Sequence, residues 1–267
     1  MYDLTYRKAA TCASARDLLA TAEDGTLLAG GMTLIPTLKQ RLAAPDIVVD
    51  LGGIDDLTTI TIDNDNVQIG AMATHAQVAH HTFVRASLPG VADLAGQIGD
   101  PHVRNRGTIG GSVANNDPAA CYPAALLATG ATIHTDQQSF VAEDFFMGMF
   151  ETALDFNEII TAIHFPVDQI CAYVKCPNPA SRYALAGVCV AKRHDGLVKV
   201  AVTGAGQDGV FRASDIEAAL NKRFTPDALD DVSVDPDLLL SDMHANADFR
   251  AHLVVQMAKQ AVTKLQV

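Results

Sequence analysis

The stretch that most constrains this chain lies near its middle, Gly99-Asp100-Pro101-His102-Val103-Arg104-Asn105-Arg106-Gly107-Thr108-Ile109-Gly110-Gly111-Ser112. It holds four glycines and two arginines. It has neither the two-residue period of a strand nor the 3.6-residue period of a helix, so it reads as loop. It ends on Gly110-Gly111, and an earlier pair, Gly30-Gly31, also follows an apolar run. Glycine gives the backbone positive φ and lets a ligand approach without a Cβ in the way. Consecutive exposed N–H groups at such a turn form an anion-binding nest, and a following helix N-terminus adds partial positive charge. Two such turns can converge on a diphosphate from two sides; taken singly, each reads first as an ordinary tight turn. The spacing excludes two common nucleotide loops: AGGMTL is not G-x-G-x-x-G, and no Lys-Ser/Thr follows either pair.

Charge sharpens the question of what such turns would hold. The 267 residues carry 19 Lys+Arg against 31 Asp+Glu, a net charge of −12. An acidic chain repels the phosphate backbone that dominates nucleic-acid affinity, and anionic membranes likewise. An anionic ligand must be held locally, by backbone amides or a few basic residues, against the global field. With no Trp and 6% aromatic residues, a base-stacking surface is not expected. No apolar run approaches the ~20 residues of a membrane span. The N-terminus has no apolar signal region, so a cytoplasmic location is expected. The five cysteines (Cys12, Cys121, Cys171, Cys176, Cys189) are odd in number and scattered. The one close pair, Cys171 and Cys176, has no second pair to complete a zinc or iron–sulfur site, so free thiols in a reducing compartment and no metal are expected.

Around the glycine turns the pattern is mixed α and β. Residues 9–22 read as an amphipathic helix ended by Gly25. Thr26–Ala29 reads as a strand, Thr33 as the cap of a helix through Ile35, Leu38 and Leu42 with Pro36 in its first turn, and Ile47–Leu51 as a strand. Leu57–Ile62 and Val67–Ile69 alternate about Asp63-Asn64-Asp65-Asn66, a hairpin signal. Thr74 caps a helix carrying Val78, and another helix spans about 87–98. Asp117-Pro118 opens a helix with an acceptor at the cap and proline at its first position, closed by Gly130. Ala131–Thr135 and Glu158–Phe165 read as strands. The proline-punctuated Cys176-Pro177-Asn178-Pro179 marks a domain boundary. Beyond it come a hairpin about Asp195-Gly196 and helices near 213–222 and 247–265. The resulting division is 1–55, 56–176 and 177–267.

Other candidates carry less. Arg104 and Arg106 read either as surface ion-pairing groups or as groups that order the glycine loop or dock a partner. His102 reads as a proton carrier or a plain loop residue. His80-His81 has no partner at metal-ligand spacing. No nucleophile elbow, H-E-x-x-H or Cys/His nucleophile signature occurs. The residues alone describe an α+β nucleotide binder.

A family resemblance adds to this reading. Leu28-Ala29-Gly30-Gly31-Met32-Thr33-Leu34-Ile35-Pro36 resembles the first flavin motif of the FAD-binding medium subunits of molybdenum hydroxylases, the carbon monoxide dehydrogenase and xanthine dehydrogenase group. Ile98-Gly99-Asp100 through Arg104-Asn105-Arg106-Gly107-Thr108-Ile109-Gly110-Gly111-Ser112 resembles the second, continued by Asp117-Pro118-Ala119-Ala120. Phe145-Phe146-Met147-Gly148, Glu158-Ile159-Ile160 and the segment from Tyr173-Val174-Lys175 to Ala186-Gly187-Val188 follow in family order, so the resemblance covers essentially the whole chain. It implies an α+β fold: a two-subdomain vanillyl-alcohol-oxidase-type FAD-binding domain plus a small C-terminal α+β domain. FAD would lie between the subdomains, its pyrophosphate gripped by both Gly-Gly turns and its charge met mainly by backbone amides. By motif position the first turn would supply Leu28, Ala29, Gly30, Gly31, Met32, Thr33 and Leu34, and the second Thr108, Ile109, Gly110, Gly111 and Ser112. Ile98 and Ile160 would pack near the flavin, Ile160 reading equally as a core strand residue. Tyr183 would lie against the isoalloxazine or serve as a domain-interface aromatic.

Two departures from the family pattern stand out. Relatives often read His-x-Asp-Pro where this chain has Asn115-Asn116-Asp117-Pro118. The acidic residue that usually meets the FAD ribose, two residues before a proline, is here Cys121. A thiol is a weak acceptor, so FAD is expected to be more weakly or differently anchored, with Asp117 or Asn116 compensating. The resemblance also implies partners: a molybdenum-cofactor large subunit and an iron–sulfur small subunit, assembled as a dimer of heterotrimers, with electrons reaching FAD here and leaving to a quinone, NAD or oxygen. Two other readings remain, a flavin-less scaffold subunit and a free-standing FAD oxidoreductase.

Overall fold

A computed structural model of the chain describes residues 1–63 and 65–266. The first lobe is a three-stranded parallel sheet. Its elements are β1 (Thr5–Lys8), α1 (Cys12–Leu19), β2 (Gly25–Leu28), α2 (Leu34–Lys39) and β3 (Ile47–Asp50), with β3 between β1 and β2. Thr11 and Ser14 cap α1 reciprocally, each side chain taking the other's backbone N–H at 3.0 Å. That helix buries Ala15 and Leu19 against Ile47 and Val49 of β3. Gly25 does not end the helix; it opens β2, where a Cβ would stand 2.9 Å from Leu19 Cδ2.

The second lobe follows as β4 (Ile60–Ile62), β5 (Asn66–Gly70), α3 (His75–His80), α4 (Thr82–Ser87), α5 (Pro89–Gly96), α6 (Pro101–Arg104), α7 (Ile109–Asn115), α8 (Tyr122–Thr129), β6 (Thr132–Thr135), β7 (Ser139–Val141), α9 (Ala142–Phe145), β8 (Phe146–Gly148), β9 (Glu151–Thr152) and β10 (Ile160–Pro166). Its antiparallel sheet runs β4-β5-β10-β6-β7. The expected hairpin is β4–β5; Asn64 of its turn lies outside the described residues. Thr74 and Gln77 form the expected cap of α3. Every residue of α8 is buried, which suits a helix apolar all round.

The third sheet is β11 (Gln169–Pro177), β12 (Ala184–Arg193), β13 (Val198–Gly206) and β14 (Gly209–Arg212), followed by α10 (Ser214–Lys222) and α11 (Ala247–Leu265). Its side chains alternate between two cores. Cys171, Tyr173, Cys189, Ala191 and Ala201 pack into the core of the second lobe. Val174, Val188, Val190, Val200 and Val202 pack with Val254, Ala258 and Val262 of α11.

This sheet corrects the second junction. The boundary expected at 176/177 falls at the end of β11, which pairs with β12 from Gln169↔Arg193 to Pro177↔Ala184. The chain changes sheets between Pro166 and Gln169. The proline punctuation marks a strand end, where a missing N–H costs little, rather than a linker. The helix expected to open at Asp117-Pro118 begins instead at Tyr122, because the Asp117 carboxylate takes the amide of Ala119 in a local turn. No helix among the described residues is long and apolar enough to cross a membrane.

Candidate functional site

The first glycine turn leaves β2 and enters α2. Gly31 has φ +75°, the left-handed region that favours glycine. At Gly30 a Cβ would stand 2.1 Å from the carbonyl oxygen of Arg106 and 2.8 Å from Cα of Gly107, so the two glycine segments meet backbone to backbone. Among the described residues, no protein acceptor takes the amides of Gly30, Gly31, Met32, Thr33 or Leu34. Thr33 is no side-chain cap; its carbonyl takes the amide of Thr37 and its side chain caps nothing. α2 stops at Lys39, leaving Leu42 exposed rather than on the helix.

The second turn has the opposite character. The amide of Ile109 donates to Ala73 O at 3.0 Å, Gly110 to Ala71 O at 2.8 Å, and Ser112 to Thr108 O at 3.1 Å. Gly111 N–H donates to the Thr108 hydroxyl at 3.2 Å, the cap of α7. The expected second nest is therefore closed: the amides of 109–112 already have acceptors, because this segment zips against 71–75. Gly110 is glycine for close packing, since a Cβ would lie 2.5 Å from Ala71 Cβ.

Between the turns lies a cleft of about 700 Å³, within the range of small-molecule sites. It gathers sixteen of the eighteen residues singled out in the sequence. These are Ala29, Gly30, Gly31, Met32, Thr33 and Leu34 from the first turn, and Ile98, Thr108, Gly110, Gly111, Ser112, Asn115, Asp117 and Cys121 from the central segment. Ile160 and Tyr183 complete them. Leu28 and Ile109 stay off the wall, Ile109 being wholly buried in the second core. Ile160 is both: it opens β10, packs into that core and faces the cleft. Tyr183 stands half-exposed at the rim. Burial, then the nearby Asp117 carboxylate and Cys121, raise its hydroxyl's pKa. Arg104 orders the loop, donating from Nη1 to Ile98 O at 3.1 Å and Gly99 O at 3.0 Å.

The residues around Cys121 refine the anchoring expected there. Cys121 is buried, and its Sγ lies 3.5 Å from Nζ of Lys175 on β11. Lys175 also donates to Gln97 O at 3.0 Å and Arg182 O at 2.9 Å, which pins the third sheet to the cleft. Asp117 lines the cleft, and burial raises its carboxyl pKa. Asn116 cannot compensate for the thiol, as its side chain is engaged elsewhere. It is the left-handed C-cap of α7 at φ +40°, and its amide donates to Gly148 O at 2.7 Å and Glu151 O at 2.9 Å, holding the β8–β9 hairpin.

Sequence reasoning missed His75, Lys175 and Arg182. Lys175 and Arg182 flank the segment read as a boundary, inside the stretch from Tyr173 to Val188 that matches only by family order, with no role attached to either side chain. His75 directly follows the cap Thr74, but nothing local distinguishes it from the exposed side of a helix. Among the described residues no cluster of three or more His, Cys, Asp or Glu could hold a metal, and none of the five cysteines is bridged.

Comparison with known proteins places these features. Residues 2–168 match the family described as FAD binding domain in molybdopterin dehydrogenase. The nicotine 6-hydroxylase medium subunit of Paenarthrobacter nicotinovorans is 32% identical, over 98% of this chain and 96% of its own. The carbon monoxide dehydrogenase medium chain of Hydrogenophaga pseudoflava is 32% identical over 90% of this chain and 88% of its own. A solved carbon monoxide dehydrogenase structure from H. pseudoflava superposes with a TM-score of 0.88 at 31% identity, covering 98% of this chain and 96% of that one.

Proposed function

Since the chain belongs to the family of FAD-binding domains of molybdopterin dehydrogenases, and so is an FAD-dependent oxidoreductase subunit, we propose that it is the electron-transferring medium subunit of a cytoplasmic molybdenum hydroxylase. Its partners are a molybdenum-cofactor large subunit and an iron–sulfur small subunit. Electrons arrive from the iron–sulfur clusters and leave to an external acceptor. Bound FAD supplies the exchange between one-electron and two-electron carriers.

The observation that carries this reading is the open first turn facing a preformed cleft. Among the described residues, five amides without protein acceptors, on a turn that Gly31 takes through the left-handed region beside the cleft, suit an anionic dinucleotide in a chain of net charge −12. The protein's own work is to bind and orient. The amides of Gly30–Leu34 hold the anionic portion. Ile98 and Ile160 exclude water from the cleft wall. Tyr183, half-exposed among the cleft-lining residues, would cover the flavin. Lys175, held by three acceptors, fixes the third sheet over the opening.

Two measurements on the purified complex test this. Its visible spectrum should show a flavin doublet that bleaches with dithionite, and addition of the large subunit's substrate should bleach the same doublet. A colourless protein that takes up no added FAD would leave a scaffold role. A flavin reduced by dithionite but untouched by substrate turnover would remove the electron-transfer role.

A further inference from the structure

The closed second turn leaves the cleft short of donors where the two glycine segments meet, and one side chain is built into that junction. His75, the first residue of α3, is 4% exposed and lines the cleft. Its backbone amide donates to Gly107 O at 2.9 Å, which draws the ring under the second turn. A Cβ on Gly107 would stand 2.6 Å from Nε2 of His75, so the ring is seated where only glycine leaves room for it. A Cβ on Gly30 would in turn stand 2.1 Å from Arg106 O and 2.8 Å from Cα of Gly107. The imidazole therefore sits directly behind the contact between the two turns.

The hydrogen bonding of this ring is incomplete. Among the described residues Nδ1 is buried with no partner, and the hydroxyl of Tyr122, whose ring centroid lies 5.5 Å away, is buried and unpartnered as well. An unpaired buried polar group costs about 1–3 kcal/mol, so such a group in a native fold calls for an explanation. Burial, with Arg104 nearby, pushes the His75 pKa down to about 4, so the ring is neutral at physiological pH. A neutral imidazole carries one proton. Nδ1 has nothing in reach to accept it, which places it on Nε2, the nitrogen beside Gly107 at the cleft wall.

We propose that His75 is a cofactor-binding residue, a neutral imidazole whose Nε2–H donates to the anionic part of FAD where it crosses the junction of the two glycine turns. The role rests on FAD occupying this cleft. It makes up for the donors that the amides of 109–112 no longer offer, and it does so without burying a charge.

Two experiments test it on the full chain. In protein labelled with 15N-histidine, His75 should show the neutral Nε2–H tautomer between pH 6 and 8, and saturating FAD should move that proton downfield. In equilibrium titrations followed by flavin fluorescence, His75→Leu should weaken FAD binding about tenfold, the scale of one lost hydrogen bond to a charged group. His75→Gln, which retains an N–H donor, should recover most of it at equal melting temperature. Wild-type uptake of FAD with an unmoved His75 resonance, or wild-type affinity in His75→Leu, would overturn the role. Failure of the wild type to take up FAD would overturn the cofactor's placement in the cleft, and this role with it.

Discussion

Gly30-Gly31 and Gly110-Gly111 face one cleft and carry the same dipeptide, but their backbones are used differently. At the first pair the amides from Gly30 to Leu34 have no protein acceptor among the described residues, and Gly31 takes positive φ. At the second pair the amides are bound to Ala71, Ala73 and Thr108, and the missing Cβ makes room for Ala71. The first turn packs Gly30 against the backbone of Arg106 and Gly107 but leaves its amides open, while the second uses its amides to join two segments of the second lobe. A glycine pair therefore says that something comes close, and only the hydrogen-bond partners say whether it is a ligand or the protein itself.

Substitutions can pull the two turns apart, and the largest effect belongs to the closed one. Gly110→Ala drives a methyl into backbone and Cβ of Ala71. It should cost about 1–3 kcal/mol of apo-protein stability, read as a lower melting temperature, with a smaller change in FAD affinity. Equal losses in both would break the contrast. Gly31→Ala should show the reverse balance. Forcing φ +75° on alanine costs about 1–2 kcal/mol. Relaxation of that strain would turn the open amides away, so FAD titration should register the larger fractional loss.

The thiol at Cys121 gives a smaller effect of opposite sign. With Lys175 Nζ at 3.5 Å, Cys121→Asp gains a cationic partner and a strong acceptor at the cleft wall. Equilibrium titration should show FAD binding tightened by about threefold to tenfold. An unchanged constant would mean that the residue at 121 does not reach the cofactor.

The smallest effect concerns Asp117. Burial raises its pKa in the folded state above the unfolded value, so the native protein binds the proton more tightly than the unfolded chain. Asp117 therefore opposes folding above its raised pKa, and this penalty fades as pH falls through the ordinary carboxylate range. Asp117→Asn keeps the acceptor for the Ala119 amide. Its apo form should melt slightly above wild type near neutral pH and level with it near about pH 3. A difference that persists at acid pH would assign the change to something other than the charge.

What the sequence made legible was local. Thr74 capping α3, Asp195-Gly196 turning β12 into β13, and the two glycine pairs are short-range signals with one dominant physical cause each. What it hid depended on partners far along the chain. Pro177 looked like a linker because a strand end and a linker share proline, and only pairing with Ala184 separates them. Asn116 looked available to a ribose, but its amide is taken by carbonyls 32 and 35 residues away. The closing of 109–112 needed the register against 71–75, which no periodicity within either segment encodes. His75 was hidden for the same reason: its place behind the glycine contact comes from that register.

Amide chemical shifts measured as FAD is added to uniformly labelled protein test the division of labour most directly. The amide protons of Gly30, Gly31, Met32, Thr33 and Leu34 should move, those that gain anionic acceptors moving downfield, while those of Ile109, Gly110, Gly111 and Ser112 keep the partners they have and move little. Downfield movement at 109–112 with 30–34 unchanged would contradict the account.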